Sequence, residues 1–193
     1  KALKAPDRTG LKTINIAGEK LTDQELRNAV YHGSWVTAAK TYFSKTGCPA
    51  YGIAGDYMTG SPIRQDYLET AIEWINGGKV DEYMRDHQHD SIANELWLYF
   101  KGVIDWVETT FLKKRSQMKS VKWGPLYNQY KSASLDPAKL EERIAALMAD
   151  PDVKNKRGIY EFVLGGEADT KLLDVRVFDE KIKLAAHGKQ TAA

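Results

Sequence analysis

The sequence predicts a mainly α-helical protein: an irregular helical bundle around a central buried helix at about residues 90–112, with little or no sheet. Two apolar stripes within that segment carry the prediction, because each recurs at steps of three and four residues as one face of a helix does. The stripes are Trp97, Phe100, Ile104, Val107 and Phe111, and, beside them, Ile92, Leu96, Tyr99, Val103 and Trp106. Because the two stripes together cover most of the helix surface, we expect other elements to surround this helix.

Capping signals and apolar spacing place the shorter helices that precede the central one. Thr22 and Glu25 have the spacing of a capping box, in which each side chain satisfies a backbone amide of the other, so a helix is predicted at 22–32. A second helix is predicted at 35–45 from its apolar face, and a third, short helix at 79–86.

The segment 47–62 is rich in glycine and proline and is predicted to be a loop tucked against the body. Ser61 followed by Pro62 reads as an N-cap and a first-turn proline, which predicts a helix at 62–76. Asp90 is predicted to cap the central helix, because a carboxylate accepts hydrogen bonds from the free amides of a first turn.

Proline and glycine also divide the part of the chain that follows the central helix. Gly124-Pro125 is expected to interrupt the basic segment there, leaving one or two helical turns. Asp136 and Pro137 predict the start of a helix that runs to Met148, and apolar spacing predicts another helix at 154–164.

The predicted domain organisation follows from these elements. Residues 1–12 form a flexible lead-in, and a helical domain occupies 13–178, with possible extended segments only at 13–16 and 172–178. Residues 179–193 are predicted to be a helix and tail that lead towards a further C-terminal module outside this sequence. The first residue is Lys, and we expect the chain to be an interior segment of a longer protein.

Composition and motifs exclude several classes of protein. The chain has 193 residues, a formal net charge of +2 and one cysteine, so it has no internal disulfide. It contains no run of eighteen apolar residues and no signal-peptide pattern, and we expect a cytoplasmic protein without a membrane partner. The phosphate-binding, nucleophile-elbow and zinc-protease motifs are also absent. We therefore predict no catalytic residue, no metal ligand and no cofactor.

The turn Asp86-His87-Gln88-His89-Asp90 is the one place where the residue types suit a metal ion. Two imidazoles and a carboxylate supply most of a tetrahedral zinc shell. The alternative is a polar turn between helices in which Asp90 caps and the histidines cover backbone. We favour the polar turn, because the other two histidines, His32 and His187, are isolated in the sequence.

A basic segment at 113–131 is the main candidate for a binding surface. It has no acidic residue between Glu108 and Asp136, so its cations are expected to displace counterions from nucleic-acid phosphates. The aromatic residues within it either stack on bases or pack inward. Arg64 lies in the first turn of a predicted helix, where it either binds an anion or joins the local ion pairs. The candidate nucleic-acid-binding residues are Lys113, Lys114, Arg115, Lys119, Lys122 and Arg64.

Four segments in order along the chain resemble a known family. They are TINIAGEKLTDQELRNAVYHGSW, IRQDYLETAIEWI, HQHDSIANELWLYFKGVIDWV and WGPLYNQY. They are similar to the middle segment of GmrSD-like restriction proteins, which carry a ParB-like nucleotidase domain and, in many members, an HNH nuclease. The resemblance covers about residues 11–187. The Asp-Gly-Gln-x-Arg motif of the nucleotidase domain and the paired cysteines and histidines of the nuclease are absent from this chain.

The resemblance implies a non-catalytic helical domain of a DNA-targeting defence endonuclease, which connects the flanking nucleotidase and HNH modules and contacts DNA. Cleavage would then belong to the parent protein. The alternative is a structural protein–protein interaction module without DNA affinity, with the aromatic residues of 35–58 as its partner surface. Both readings describe a binding or connecting domain. The third hypothesis is a metal-dependent hydrolase that uses His87, His89 and a nearby carboxylate.

Overall fold

The structure, a computed structural model, describes residues 20–175. Within that range it contains nine α-helices, two short 3₁₀ helices and no strand, which confirms the predicted mainly helical fold. The predicted lead-in at 1–12, the extended run at 13–16 and the helix and tail at 179–193 lie outside the described residues.

The described residues divide into two compact units between Leu135 and Asp136. The prediction of one domain over 13–178 stays a prediction. The first unit contains α1 Asp23–Val30, α2 Ser34–Phe43, α3 Pro49–Ala54, α4 Asp66–Ile75, α5 Val80–His87, α6 Asn94–Thr110, the 3₁₀ helix Ser116–Ser120 and α7 Trp123–Tyr130. The second unit contains α8 Pro137–Ala149, α9 Gly158–Leu164 and the 3₁₀ helix Thr170–Leu173.

The long helix α6 lies at the centre of the first unit, as its apolar stripes predict, except that Ile92 of the second stripe precedes the helix and is exposed. It packs against α2, α3, α4 and α7. Its fully enclosed residues are Leu96, Phe100, Val103, Ile104 and Val107. The shorter helix α4 shares this central position, because it packs against α1, α2, α5, α6 and α7.

The start of α6 differs from the prediction. The helix begins at Asn94, and its N-cap is Ala93, which has no capping side chain. Asp90 lies too far upstream to cap it and instead holds His87, whose Nδ1 lies 2.7 Å from Asp90 Oδ2. The predicted cap was wrong because a nearby partner on the preceding helix competes for the same carboxylate.

Two boundaries around the glycine-rich segment also differ from the prediction. The predicted loop at 47–62 contains α3, with Pro49 in its first turn. Helix α4 begins at Asp66 rather than at Pro62, because Gln65 takes a left-handed conformation with φ 69°. Asp66 then accepts a hydrogen bond from the Ser61 amide at 2.7 Å, so the side chain that closes this turn is not that of Ser61.

The two strongest capping predictions are confirmed. Thr22 and Glu25 form the reciprocal capping box of α1. Asp136 caps α8 by accepting hydrogen bonds from the amides of Ala138 and Lys139 at 3.1 and 3.2 Å. By contrast, Gly124-Pro125 does not interrupt a helix. Both residues lie in the first turn of α7, where a proline lacks only an amide that the helix does not use.

The second unit is built on the packing of α9 against α8 and against the 3₁₀ helix. Its buried apolar residues include Leu140, Ile144, Ile159, Phe162 and Leu173. The helix predicted at 154–164 begins only at Gly158, because the amides of Lys154 and Asn155 donate to the Leu173 carbonyl at 3.1 and 2.9 Å. The predicted extended segment at 172–178 is wrong where the structure describes it, since it starts within a 3₁₀ helix.

Candidate functional site

Two buried side chains hold the basic segment after α6 against the first unit. Met118, in the middle of the 3₁₀ helix, is fully buried, and so is Trp123 at the start of α7. The Trp123 indole N–H donates to the carbonyls of Tyr57 and Met118 at 3.2 and 3.1 Å. Because these two apolar anchors point inward, the lysines between them are directed towards solvent.

Lys114 is held by acidic residues of the same unit. Its Nζ lies 3.1 Å from Asp56 Oδ2, 3.4 Å from Glu108 Oε1, and 5.1 Å from the centre of the Tyr57 ring. The hydrogen bond to Asp56, followed by that to Tyr57, raises the pKa of Lys114 above its ordinary value. Two carboxylates therefore balance this cation before any phosphate approaches it.

Arg115 is half-buried and lies in the turn that joins α6 to the 3₁₀ helix Ser116–Ser120. Its amide donates to Met118 Sδ at 3.4 Å, and its Nη1 donates to the Lys113 carbonyl at 3.3 Å. These contacts fix the path of the backbone through the turn. The Lys113 side chain next to it is exposed.

Lys119 and Lys122 are exposed and line the same cleft, which has a volume of about 690 Å³. Its floor includes Trp74 and Asn128, and Glu73 contributes an acidic group. Partial burial raises the pKa of the Glu73 carboxyl, and Glu69 raises it further, whereas Arg27 and Lys122 lower it. Lys119 also lines a second concavity, of about 520 Å³, together with the ion-paired Lys114.

Arg64 contacts a different part of the surface. Its Nη2 donates to the Lys20 carbonyl at 2.6 Å, and its Nη1 lies 3.5 Å from Glu25 Oε1. Arg64 lines neither of the two concavities around Lys119. Gln65 is buried, and its side chain donates to the Ile63 carbonyl at 2.9 Å, so this turn is arranged around internal contacts.

The aromatic residues of the basic segment pack mainly inward. Trp123 is fully buried, and Tyr127 packs edge-on against Tyr99 and Trp106 with ring centres 5.9 Å apart in both pairs. Tyr130 is half-buried. Base stacking by Trp123 would therefore require the unit to open.

A further basic cluster lies in the second unit. Lys156 Nζ donates to the carbonyls of Leu147 and Asp150 at 3.0 and 2.6 Å, and Lys154 Nζ donates to that of Pro151 at 2.6 Å. Lys156 thereby satisfies carbonyls at the end of α8, where a cation is favoured, and Lys154 satisfies one in the turn that follows.

The two histidines of the turn after α5 have different surroundings. His87 pairs with Asp90, while His89 is exposed. Among residues 20–175, no group of three or more His, Cys, Asp or Glu side chains is arranged to hold a metal ion. The polar turn is thus the arrangement present here, although Asp90 serves His87 rather than the following helix.

Sequence reasoning missed Asp56, Glu108 and Glu73, which set the charge around the candidate lysines. Asp56 precedes Lys114 by 58 residues, so no local spacing signals their pairing. Glu108 is the last acidic residue before the acid-free segment, and it lies near the C-terminal end of α6. Its contact with Lys114 depends on the reversal of the chain after α6.

None of the helices within residues 20–175 combines the length and the apolarity that crossing a bilayer requires.

Compared with protein-family models, curated proteins and solved structures, the chain has no significant match in any of the three.

Proposed function

We propose that this chain is a non-catalytic helical domain of a GmrSD-like, HNH-containing restriction endonuclease, and that it contacts DNA through the exposed lysines around α7. The observation that carries the proposal is the exposure of Lys119 and Lys122 along one cleft, in a segment with no acidic residue of its own. The four-segment resemblance supports the parentage. The role in the parent protein is to connect the flanking nucleotidase and nuclease modules.

Within this proposal the six candidate residues have different roles. Lys119 and Lys122 contact phosphates, and the exposed Lys113 is placed to extend the contact. Lys114 and Arg115 fix the turn that presents them, through Asp56, Glu108 and the Lys113 carbonyl. Arg64 secures the start of α1 and makes no direct contribution.

A salt titration of DNA binding tests the phosphate contact. We expect the double variant Lys119→Ala/Lys122→Ala to bind a fluorescein-labelled duplex more weakly. The slope of log K against log salt should become less negative by about 0.9 for each phosphate contact removed. Fluorescence anisotropy across a salt series measures both quantities.

The matched control is Lys45→Ala/Lys171→Ala, which removes two exposed lysines outside the basic segment. It produces the same change in net charge. If both double variants weaken binding equally, the attraction is a property of net charge and the assigned surface is incorrect. Lys114→Ala is unsuitable as the first test, because it also leaves Asp56 and Glu108 without this partner.

The alternative function, a protein–protein module, gains no support from its proposed aromatic surface. Trp35, Phe43 and Tyr57 are buried, and Tyr42 stacks on Trp97 with ring centres 5.1 Å apart. Only Tyr51 is exposed among the described aromatic residues of 35–58. A stable dimer in light scattering, without measurable DNA affinity, would favour this alternative.

A further inference from the structure

The cleft that Lys119 and Lys122 line also contains a group of the opposite charge. Its volume of about 690 Å³ lies within the usual range for a small-molecule site. Helix α4 contributes Glu73 to the lining, and the segment that leads into α7 contributes both lysines. The cleft therefore offers two cations and a carboxylate to the same ligand.

These three charged side chains are accessible and have no partner of their own. Glu73, Lys119 and Lys122 are all exposed. In the part of the chain that the structure describes, none of the three side chains forms an ion pair or a hydrogen bond with another residue. Lys114 differs, since its Nζ lies 3.1 Å from Asp56 Oδ2. Because the lysines of the cleft do not pair with Glu73, both kinds of charge remain available to a ligand.

The packing of α4 against α7 sets the positions from which these groups reach the cleft. Trp74, the residue after Glu73, lies directly against the backbone of Gly124 on α7. Asn128 Nδ2, also on α7, donates to the Trp74 carbonyl at 3.1 Å. Lys122 is the N-cap of α7. The backbones that carry the carboxylate and one of the cations are therefore fixed relative to each other before a ligand binds.

A ligand that satisfies this cleft must carry an anion and, away from it, hydrogen-bond donors for a carboxylate. A nucleotide meets both requirements, because its phosphate is anionic and its base carries N–H groups. An ionised carboxylate only accepts hydrogen bonds, so it distinguishes among the bases.

Guanine is the base whose pairing edge fits a carboxylate best. It presents two adjacent donors, N1–H and the 2-amino group, to the two carboxylate oxygens. Adenine and cytosine place a ring-nitrogen acceptor beside their amino group, and thymine flanks its N3–H with two carbonyls. Each of these three bases therefore sets an acceptor against the carboxylate. In a duplex the guanine donors are occupied by cytosine, so the base must be unpaired to offer them.

We propose that this cleft binds an unpaired guanine nucleotide, with its phosphate on Lys119 and Lys122 and with N1–H and the 2-amino group on the Glu73 carboxylate. The lysines keep the role that the proposed function gives them, so this site rests on that function. Val121 and Pro125 line the cleft and supply apolar surface for the base. The nucleotide belongs either to a single-stranded stretch of DNA or to a free guanine nucleotide.

The test measures how the full chain binds single strands of about 12 nucleotides, a length suited to one binding groove. Fluorescence anisotropy compares a labelled thymidine strand with one central deoxyguanosine against strands that carry deoxyadenosine, deoxycytidine or thymidine there. We expect the deoxyguanosine strand to bind about tenfold more tightly, the order of one bidentate base contact. Annealing each strand to its complement should abolish this preference.

Glu73→Gln should remove the preference, because a carboxamide has a single acceptor group where guanine offers two donors. The ratio of deoxyguanosine to thymidine affinity should fall from about tenfold to about one. This ratio is taken within one variant, so it cancels the effect of the altered net charge. The matched control Glu95→Gln removes an exposed carboxylate outside the cleft and should keep the ratio. Lys119→Ala/Lys122→Ala should weaken the binding of every strand.

Two modified bases test which edge is read. Deoxyinosine keeps N1–H but lacks the 2-amino group, so it should lose most of the preference. 7-Deazadeoxyguanosine keeps both donors, so it should bind as deoxyguanosine does. Equal affinity for the four natural bases, or a guanine preference that survives in Glu73→Gln, would overturn the proposed site.

The outcomes separate this site from the proposed function. If binding depends on salt and on the two lysines but shows no guanine preference, the DNA contact stands and the guanine site fails. Competition with dGMP and dTMP separates the two sources of the nucleotide. If dGMP binds as tightly as the strand and requires Glu73, the ligand is a free guanine nucleotide. Much weaker binding of dGMP indicates a nucleotide within a strand. If no strand, duplex or dGMP binds, both proposals fail.

Discussion

At the scale of single residues, Gln24 on α1 is a polar side chain that is completely enclosed within the first unit. Its side chain is completely buried, and Nε2 donates to Asn28 Oδ1 at 3.0 Å and to Met84 Sδ at 3.1 Å. Asn28 in turn donates to Gln65 Oε1 at 3.1 Å. This chain of amides joins α1 to the turn before α4, and each amide depends on the next for its hydrogen bonds.

Replacing Gln24 by Met tests that dependence. The new side chain has a similar size but leaves Asn28 Oδ1 without this donor inside the unit. We expect a loss of about 1–3 kcal/mol in the free energy of unfolding, which is the cost of a buried unsatisfied polar group. Urea denaturation measures it. The control Gln129→Met, on an exposed part of α7, should change stability by less than about 0.5 kcal/mol. Equal stability of both variants would show that the amide chain is dispensable.

At the scale of helices, the contact between α4 and α7 depends on one missing side chain. A Cβ placed on Gly124 would lie 2.2 Å from Cγ of Trp74, far inside van der Waals contact. Trp74 is held in place, because its carbonyl accepts hydrogen bonds from the Tyr99 hydroxyl at 2.9 Å and from Asn128 Nδ2 at 3.1 Å. The two helices therefore approach this closely only with glycine at this position.

Gly124→Ala is expected to destabilise the protein by about 1–3 kcal/mol, the usual cost of overpacking a well-filled contact. Gly52→Ala provides the opposite case, because a Cβ there meets nothing within 4 Å. In helix α3 that change should stabilise the protein by about 0.4–1 kcal/mol, since alanine loses less backbone entropy on folding. Thermal melting of the two variants gives the sign directly. Melting temperatures that move in the same direction would contradict the packing argument.

At the scale of the whole molecule, the described chain has two compact units, and the second contains a close contact at Gly158. A Cβ on Gly158 would lie 1.9 Å from the Leu172 carbonyl oxygen. The same oxygen accepts a hydrogen bond from Asn155 Nδ2 at 2.8 Å. The start of α9 is thereby fixed against the 3₁₀ helix Thr170–Leu173.

Gly158→Ala should open the second unit, because its backbone cannot keep the hydrogen-bonded position of Leu172. Hydrogen exchange is the suitable measurement, since it reports the opening of each segment separately. We expect the amides of α8 and α9 to lose protection. Glu161→Ala, on the exposed side of α9, should leave their protection close to that of the parent protein. Unchanged exchange in Gly158→Ala would rule out this dependence.

Local signals were sufficient for several elements of the fold. The capping box of Thr22 and Glu25 and the cap at Asp136 were predicted because their partners lie within one helical turn. The buried face of α6 was predicted because apolar periodicity reports the environment of a long helix. By contrast, α3 was missed, since a segment of six residues that includes a proline and a glycine is too short to show helical periodicity.

For the candidate site, the sequence predicted where the basic segment lies, but not which of its cations have acidic partners. The exposure of Lys119 and Lys122 follows from their position between the buried Met118 and Trp123. The neutralisation of Lys114 depends on Asp56, and the acidic side of the cleft depends on Glu73 from α4. Electrostatic partners act through space, so local spacing carries no information about them.

The sequence by itself determined that the protein is helical and where its strongest caps lie, because those features arise from interactions within a few residues. Only the tertiary structure decided which cations already have partners and at which positions only glycine fits. It also decided that Glu73, Lys119 and Lys122 line one cleft. Those properties depend on residues that are distant along the chain and adjacent only after the helices have packed.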